Sequence, residues 1–379
     1  MQPVRIGIIG LGNMGRMHAR DCMESEAVDL VAVCDIVQER LDEYPEVARR
    51  FLSADELLKD GEVEAVLIAT PHYDHTPIAI SAFQHSIHVL CEKPVGVHVN
   101  DVRKMIAAYE QARSETPGLR FGAMFQQRSL PHWRVIKRVL EGHELGQLIR
   151  ASWIVTDWFR TQYYYDTGSW RATWKGEGGG VLLNQCPHNL DLYQWFFGMP
   201  TIIDGHLSIG KHHDIEVEDE VTAFLRHENG MVGHFVTSTA ESPGTNRLEV
   251  VGEQGKLVYE GDLVIYRNRQ SVFEAIQHER RAFMQVEYAT ETLPLEPGGG
   301  THREVIERFA SSIRGAGQLV AEGLEGLRSV ELANGILMSH FGGVPVSLPI
   351  DGDRYAELLA RLIQESARSG HGHSTKGQS

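Results

Sequence analysis

Three groups of residues in this 379-residue chain have the types and spacing to do chemistry. The first is Gly10-Leu11-Gly12-Asn13-Met14-Gly15, with Asp35 lying 20 residues beyond the last glycine. An apolar run from Val4 to Ile9 precedes it, and Arg16 to Arg20 reads as a helix start. Asp35 closes a second apolar run, Leu30 to Cys34. Strand, glycine turn, helix and acid in this register make a dinucleotide site. Gly10 permits the tight turn, Gly12 lets a pyrophosphate reach the backbone, and Gly15 lets helix and strand pack closely. The helix N-terminus offers N–H donors and partial positive charge to the phosphates. The Asp35 carboxylate accepts from both ribose hydroxyls and repels a 2′-phosphate, which predicts NAD over NADP. Ile36 and Val37 bring no cation to such a phosphate, and Arg40 is the one residue nearby that reaches it.

The second group is Glu92-Lys93-Pro94, directly after the apolar run Ile87 to Cys91. Carboxyl ends of parallel strands line the ligand crevice. A lysine there meets a substrate beside the nicotinamide, with Glu92 as its counter-charge; the alternative is an ordinary surface loop. The third group runs from Gly178-Gly179-Gly180 through Asn184 and His188 to Asp191. Three glycines let backbone approach a flat ligand. Asn184 and His188 are four apart and share a face if the segment is a helix starting near Asn184, with Pro187 as an early position. Histidine is the side chain best suited to take a hydroxyl proton near neutral pH; a structural hydrogen bond is the alternative. Asp191 either orients His188 or is a solvated helix charge. The aromatic run Trp158, Phe159, Tyr163, Tyr164, Tyr165, Trp170 and Trp174 either stacks on sugar rings or forms a core or interface patch. His72 and His75 have no Cys or acid cluster to complete a metal site, so no metal is expected.

The elements that must position these groups follow from the pattern. Up to Phe125, apolar runs alternate with helical segments: Gln38 to Phe51 (interrupted by Pro45), Ala54 to Leu58, the strand Ala65 to Thr70, His75 to His85, Asn100 to Arg113, and the strand Arg120 to Phe125. This predicts an α/β fold with a doubly wound parallel sheet, a Rossmann domain over 1–125. From Gln126 the pattern changes to alternating strands, Leu148 to Trp158 and then six between Ile202 and Arg267, with turn signals such as Glu228-Asn229-Gly230. Helices follow at His302 to Arg314, Leu324 to His340 and Asp353 to Ala367. Residues 126–379 therefore read as an α+β substrate-binding and oligomerisation domain with an open, mostly antiparallel sheet. The tail 369–379 is expected to be disordered.

Bulk properties limit the partners. A net charge of −15 opposes a nucleic-acid or anionic-membrane role, because a phosphate-tracking surface needs excess Lys and Arg. Cys22, Cys34, Cys91 and Cys186 show no CxxC spacing and read as reduced core residues of a cytoplasmic protein. The first residues lack the pattern of a signal peptide, and no apolar run is long enough to span a bilayer.

Together these motifs resemble the Gfo/Idh/MocA oxidoreductase family over nearly the whole chain. The resemblance rests on GLGNMG at Gly10 to Gly15, ATPHYDH at Ala69 to His75, CEKP at Cys91 to Pro94, and WRATWKGEGGGVLLNQCPHNLD from Trp170 to Asp191. It implies an NAD-dependent dehydrogenase that oxidises a secondary alcohol of a sugar, glycoside or inositol-like polyol. Lys93 would polarise the hydroxyl and His188 would act as general base. Thr70, Pro71, His75, Glu92 and Gln126 would face the cofactor, and Arg128, Trp170 and Arg171 the substrate. Many members carry Asp four residues before the histidine; Asn184 stands there, able to bind a hydroxyl but without charge for a relay. Some relatives instead cleave glycosides without net redox change, by oxidation, elimination and re-reduction on held NAD. A substrate pocket between the domains, walled by the aromatic segment Trp158 to Trp174 with Tyr164 and Trp174 among its stacking rings, would leave sugar hydroxyls to Arg128, Asn184 and Asp191. An uncovered sheet face in the second domain predicts a homodimer or homotetramer.

Overall fold

The structure is a computed structural model and describes residues 2–168 and 170–369. Strands β1 (Val4–Ile9), β2 (Val28–Cys34), β3 (Arg49–Phe51), β4 (Ala65–Ile68), β5 (His88–Cys91) and β6 (Phe121–Ala123) form a parallel sheet in the order β3-β2-β1-β4-β5-β6. The central strand β4 is covered on both faces, so it is buried along its whole length and reads as a continuous apolar run. The order reverses direction between β1 and β4, which places a crevice at the carboxyl ends of those two strands. Helices Asn13–Met23, Ala54–Lys59, His72–Gln84 and Val99–Glu115 cover the two faces.

One expected element is replaced. The helix expected over Gln38 to Phe51 stops at Leu41, and Arg49–Phe51 is an edge strand paired with Ala32 to Cys34. Pro45 blocks continuation of the helix. The open edge of β2 offers backbone partners that a short polar helix lacks.

The second sheet has nine strands: β7 (Leu148–Val155), β8 (Ile202–Ile209), β9 (Glu218–Arg226), β10 (Val232–Ser238), β11 (Asn246–Gly252), β12 (Gly255–Glu260), β13 (Asp262–Asn268), β14 (Tyr288–Thr292) and β15 (Val346–Ser347). Their order is β14-β13-β12-β11-β7-β10-β9-β8-β15, and only β7 and β10 run parallel. Ala151, Trp153 and Val155 point into the core while Ile154 between them is exposed, the alternation of a sheet with one covered face. Helices Pro187–Phe197, Gly326–Gly342 and Pro131–Glu141 cover that face; Trp133 meets Trp153 and Phe196 there at ring-centroid distances of 5.2 and 5.9 Å. The sequence pattern did not single out Pro131–Glu141, which begins right after the change at Gln126.

The chain does not stay with the second sheet. Helix His302–Ile313 returns to the first and packs Val305, Ile306, Phe309 and Ala310 into one cluster with Ile6, Ile8 and Leu67. Just beyond it, the Arg314 guanidinium donates to Glu64 at 2.8 and 2.9 Å and to the carbonyls of Gln2 and Pro3. Gly122 of β6 then bridges Glu322. The segment from 126 onward is thus divided between both sheets. The tail from 370 lies outside the described residues, and no helix among those described is long and apolar enough to cross a membrane.

Candidate active site

The glycine turn joins β1 to helix Asn13–Met23. Gly10 has φ +95°, and a Cβ there would lie 2.7 Å from the Ala69 carbonyl oxygen; one on Gly15 would collide with the Gly10 carbonyl. A Cβ on Gly12 would meet nothing within 4 Å, so the middle of the turn is open where its neighbours are closed. Gly12 is also the helix N-cap and has no side chain to occupy the first N–H groups, while Asn13 is exposed and Met14 half-buried in the first turn. Asp35 is buried at the end of β2; its Oδ2 accepts from Leu11 N–H at 2.7 Å and its Oδ1 from Val37 N–H at 2.9 Å. The half-exposed Arg40 guanidinium lies 3.2 Å from the same carboxylate.

Across the crevice, Pro71 caps helix His72–Gln84. His75 is buried with its ring nitrogens 2.8 and 2.9 Å from the carbonyl oxygens of Pro94 and Thr70, tying the end of β4 to the Lys93-Pro94 turn. Thr70 Oγ1, Gln126 Oε1 and His188 Nδ1 are buried without a hydrogen-bond partner. Buried polar atoms are rarely left so, and three around one crevice mark where a polar ligand completes the bonding. The open Gly12 turn, the bare helix N-terminus and these orphaned atoms fit a dinucleotide.

Glu92 and Lys93 end β5. Burial opposes the Glu92 charge, but the hydrogen bond and charge of His18 and the charge of Lys93 outweigh it and hold the carboxyl at about 2. His18 Nε2 lies 2.6 Å from Glu92 Oε1, and both side chains are buried. Glu92 Oε2 accepts the Lys93 N–H at 3.0 Å, so the lysine backbone is fixed by its neighbour. Lys93 Nζ donates to the main-chain carbonyl of Asn184 at 2.9 Å. Burial lowers the ammonium pKa, and the carboxylates of Glu92 and Glu177 pull it back up.

Asn184 and His188 are not on one helix. Asn184 lies in a turn after the glycines, and the helix begins at Pro187. Val181 and Leu183 bond back to Glu218 and Gly180, which holds the glycine segment in tight turns against β9. His188 is 6% exposed in the first helical turn, with Phe125 edge-on at 6.0 Å. Burial, with Lys93 adding repulsion, lowers its pKa to about 3, so the ring is neutral at physiological pH. The Asn184 amide donates to Glu177, and its Oδ1 accepts from Tyr164 OH at 3.3 Å. Arg171 donates to the same hydroxyl at 2.9 Å and stacks on the Tyr164 and Trp170 rings. Trp170 meets His72 edge-on at 5.7 Å, and burial lowers the His72 pKa to about 3.

The family profile described as "Oxidoreductase family, NAD-binding Rossmann fold" matches residues 4–115, and "GFO/IDH/MocA C-terminal domain" matches residues 133–258. The chain belongs to the Gfo/Idh/MocA oxidoreductase family. It is 30% identical over 203 residues to "Rhizopine catabolism protein MocA" of Rhizobium meliloti, a match spanning 53% of this chain and 60% of that one. It is 27% identical to "Myo-inositol 2-dehydrogenase" of Thermotoga maritima, over 67% of this chain and 74% of that one. The WlbA dehydrogenase of Bordetella pertussis, solved in complex with NADH and UDP-GlcNAcA, superposes with a TM-score of 0.76 at 27% identity, over 92% of this chain and 100% of that one.

Within this Gfo/Idh/MocA chain, the structure gathers Lys93, Asn184, His188, Tyr164, Trp170 and Arg171, with Glu92 behind them. It does not bring Arg128, Asp191 and Trp174 to the same place as free groups. Arg128 is 4% exposed and grips Asp191 with two bonds of 2.7 and 2.6 Å, while Nη1 donates to Glu325 at 2.7 Å. Asp191 therefore neither orients His188 nor faces solvent: its carboxylate is committed to Arg128 and Gln194. Trp174 is 3% exposed with its ring edge-on to Phe341, so it is a core residue and not a stacking platform. All four cysteines are free and buried.

Two site groups escaped the sequence reading. His18 sits one turn into the nucleotide helix, where its signal was only a polar residue on the inward face. Glu177 precedes the three glycines as the single acid between Asp166 and Asp191, and that isolation was its signal.

Proposed function

We propose that this chain is an NAD-dependent dehydrogenase oxidising a secondary alcohol of a sugar, glycoside or inositol-like polyol in the cytoplasm. The observation that carries the proposal is the Lys93 contact with the Asn184 carbonyl: it joins the end of a nucleotide-domain strand to the turn that leads into His188. A reacting carbon beside the nicotinamide then meets an ammonium and a neutral imidazole together. When bound, NAD supplies the hydride acceptor. Lys93 donates to the hydroxyl oxygen and favours its alkoxide character. His188 takes the hydroxyl proton, and the nearby Glu92 carboxylate favours the resulting imidazolium. Tyr164, Arg171 and Trp170 offer a polar and aromatic wall to the ring of the substrate. The names of the relatives support this class: one is a myo-inositol dehydrogenase, and WlbA was solved with a nucleotide sugar. The free buried cysteines fit a reducing compartment. NAD is preferred over NADP because the Asp35 carboxylate, held by the Leu11 and Val37 N–H groups, would repel a 2′-phosphate.

The test is a panel of polyols, sugars and glycosides with NAD, followed by NADH absorbance. Net NADH with at least one free polyol or sugar is the expected result. Glycoside cleavage without net NADH would replace the proposal by redox-neutral chemistry.

A further inference from the structure

Hydrogen bonds at the site converge on Glu177. It is 1% exposed, and its Oε2 accepts the Ala172 N–H at 2.6 Å. Its Oε1 accepts the Asn184 amide N–H. That bond sets the Asn184 side chain: with the NH2 turned to Glu177, Oδ1 faces Tyr164 OH, and the main-chain carbonyl of the same residue accepts Lys93 Nζ. We propose that Glu177 is the positioning carboxylate of this active site, acting in its ionised form through Asn184 to hold Tyr164 and Lys93 where the reacting hydroxyl binds. The proposal rests on the dehydrogenase function above and names the group that controls it.

Only a carboxylate can serve both bonds. Each partner is a donor, so the group between them must offer two acceptors. Protonation removes one acceptor and the charge that faces Lys93. The surrounding groups decide when that happens. Burial pushes the carboxyl up, while Arg171 of the same loop and Lys93 after β5 pull it down, and the balance lies at about 7. Glu218 of β9 is a like-charged neighbour that opposes ionisation. His72, whose Nδ1 is 3.3 Å from the Glu177 main-chain carbonyl, is neutral, and Tyr73 donates to the Trp174 carbonyl. Glu216 accepts the Trp174 N–H. Activity should therefore fall as pH drops below about 7, and His188, held at about 3, does not account for that limb.

Glu177→Gln keeps size but offers one acceptor and one donor, so its NH2 is set against the Asn184 NH2. Pairing it with Asn184→Asp restores a donor facing an acceptor and moves the charge by one side chain. The single variant should lose at least about ten-fold in kcat/KM, keep its NADH Kd, and lose the acid limb. The double variant should regain most of that loss. A single variant with wild-type kcat/KM and acid limb overturns the proposal, as does a folded double variant no better than the single. If Glu177→Gln fails to fold, Asn184→Asp alone decides. Two facing carboxyls share a proton, so its acid limb should move to higher pH, and an unmoved limb overturns the proposal. A wild-type chain that oxidises nothing on the panel defeats the dehydrogenase function, not the role of Glu177. Carboxyl 13C NMR without substrate then reads Glu177 directly: a titration that moves to higher pH in Asn184→Asp is expected, and one that the substitution leaves unmoved overturns the proposal.

Discussion

Under the proposed dehydrogenase function His188 is the general base and Lys93 the hydroxyl donor, so their removal should look different from misfolding. His188→Ala should lose roughly 10²–10⁴ in kcat, the usual contribution of a general base, with NADH affinity unchanged. Retained wild-type kcat would remove the assignment. Asp35 and Arg40 make a second, graded case. Arg40 is tied to Asp35, so a 2′-phosphate must compete with a carboxylate for that cation. NAD should give the higher kcat/KM, and Arg40→Ala should widen the margin over NADP; equal or better turnover with NADP contradicts this. At this scale the local signals were legible. Glycine spacing and Asp35 are read within one strand–turn–helix–strand unit, because local backbone geometry dictates them. Arg128 and Asp191 are 63 residues apart, and nothing in either neighbourhood announces that they pair. Both therefore read as free polar groups beside a substrate.

That ion pair acts at the scale of elements. It ties the short 3-10 turn Gln126–Ser129, just after β6, to the helix Pro187–Phe197 that carries His188. Arg128→Met leaves the Asp191 carboxylate buried without its cation, a change that costs about 3–5 kcal/mol in comparable buried pairs. Urea unfolding should show this loss, and a variant within about 1 kcal/mol of wild type would show that Glu325 and Gln194 hold the helix without Arg128. Elements were legible where periodicity is strong. The strands from β8 to β13 were expected because alternation and turn residues repeat. β3 was not, because a three-residue edge strand has no period to read and exists only by pairing with β2. The start of the His188 helix was misplaced for a related reason: Asn184 has helical spacing, but the glycines before it bond back toward β9 and delay the helix to Pro187.

Across the whole molecule, buried ionisable groups make stability depend on pH. Burial raises the Glu177 and Glu218 carboxyls from 4.5 to about 7. The folded chain therefore holds protons that the unfolded chain releases. Their contribution is full below pH 4.5 and is lost as pH rises through about 7. His72 and His188, lowered to about 3, act in the opposite sense: their contribution is present above 6.5 and is lost as pH falls toward 3. Glu218→Gln should therefore raise the melting temperature at pH 8 more than at pH 6, by the equivalent of roughly 1–3 kcal/mol. An equal effect at both pH values would show that Glu218 stays charged in the fold. The solvent face of the second sheet is a further whole-molecule feature. Ile154, Phe224, Val236 and Val258 lie on it among Arg150, Glu249 and Lys256. Self-association of such a face should give a two-fold dimer or its doubled form, and sedimentation at monomer mass across micromolar concentrations would remove that expectation.

The return of helix His302–Ile313 to the first sheet sets a schedule for synthesis. The apolar surface that Ile306 and Phe309 cover is made from the beginning of the chain, yet its cover leaves the ribosome roughly 200 residues after β6. At about 5–20 residues per second, that is an interval of about 10–40 s in which the nascent nucleotide domain has a sticky side. Arg314 and the Gly122–Glu322 bridge then fasten it at the end of the interval. A ribosome stalled shortly before His302 should consequently carry a nascent chain that engages chaperones more strongly than one stalled some tens of residues past Glu322.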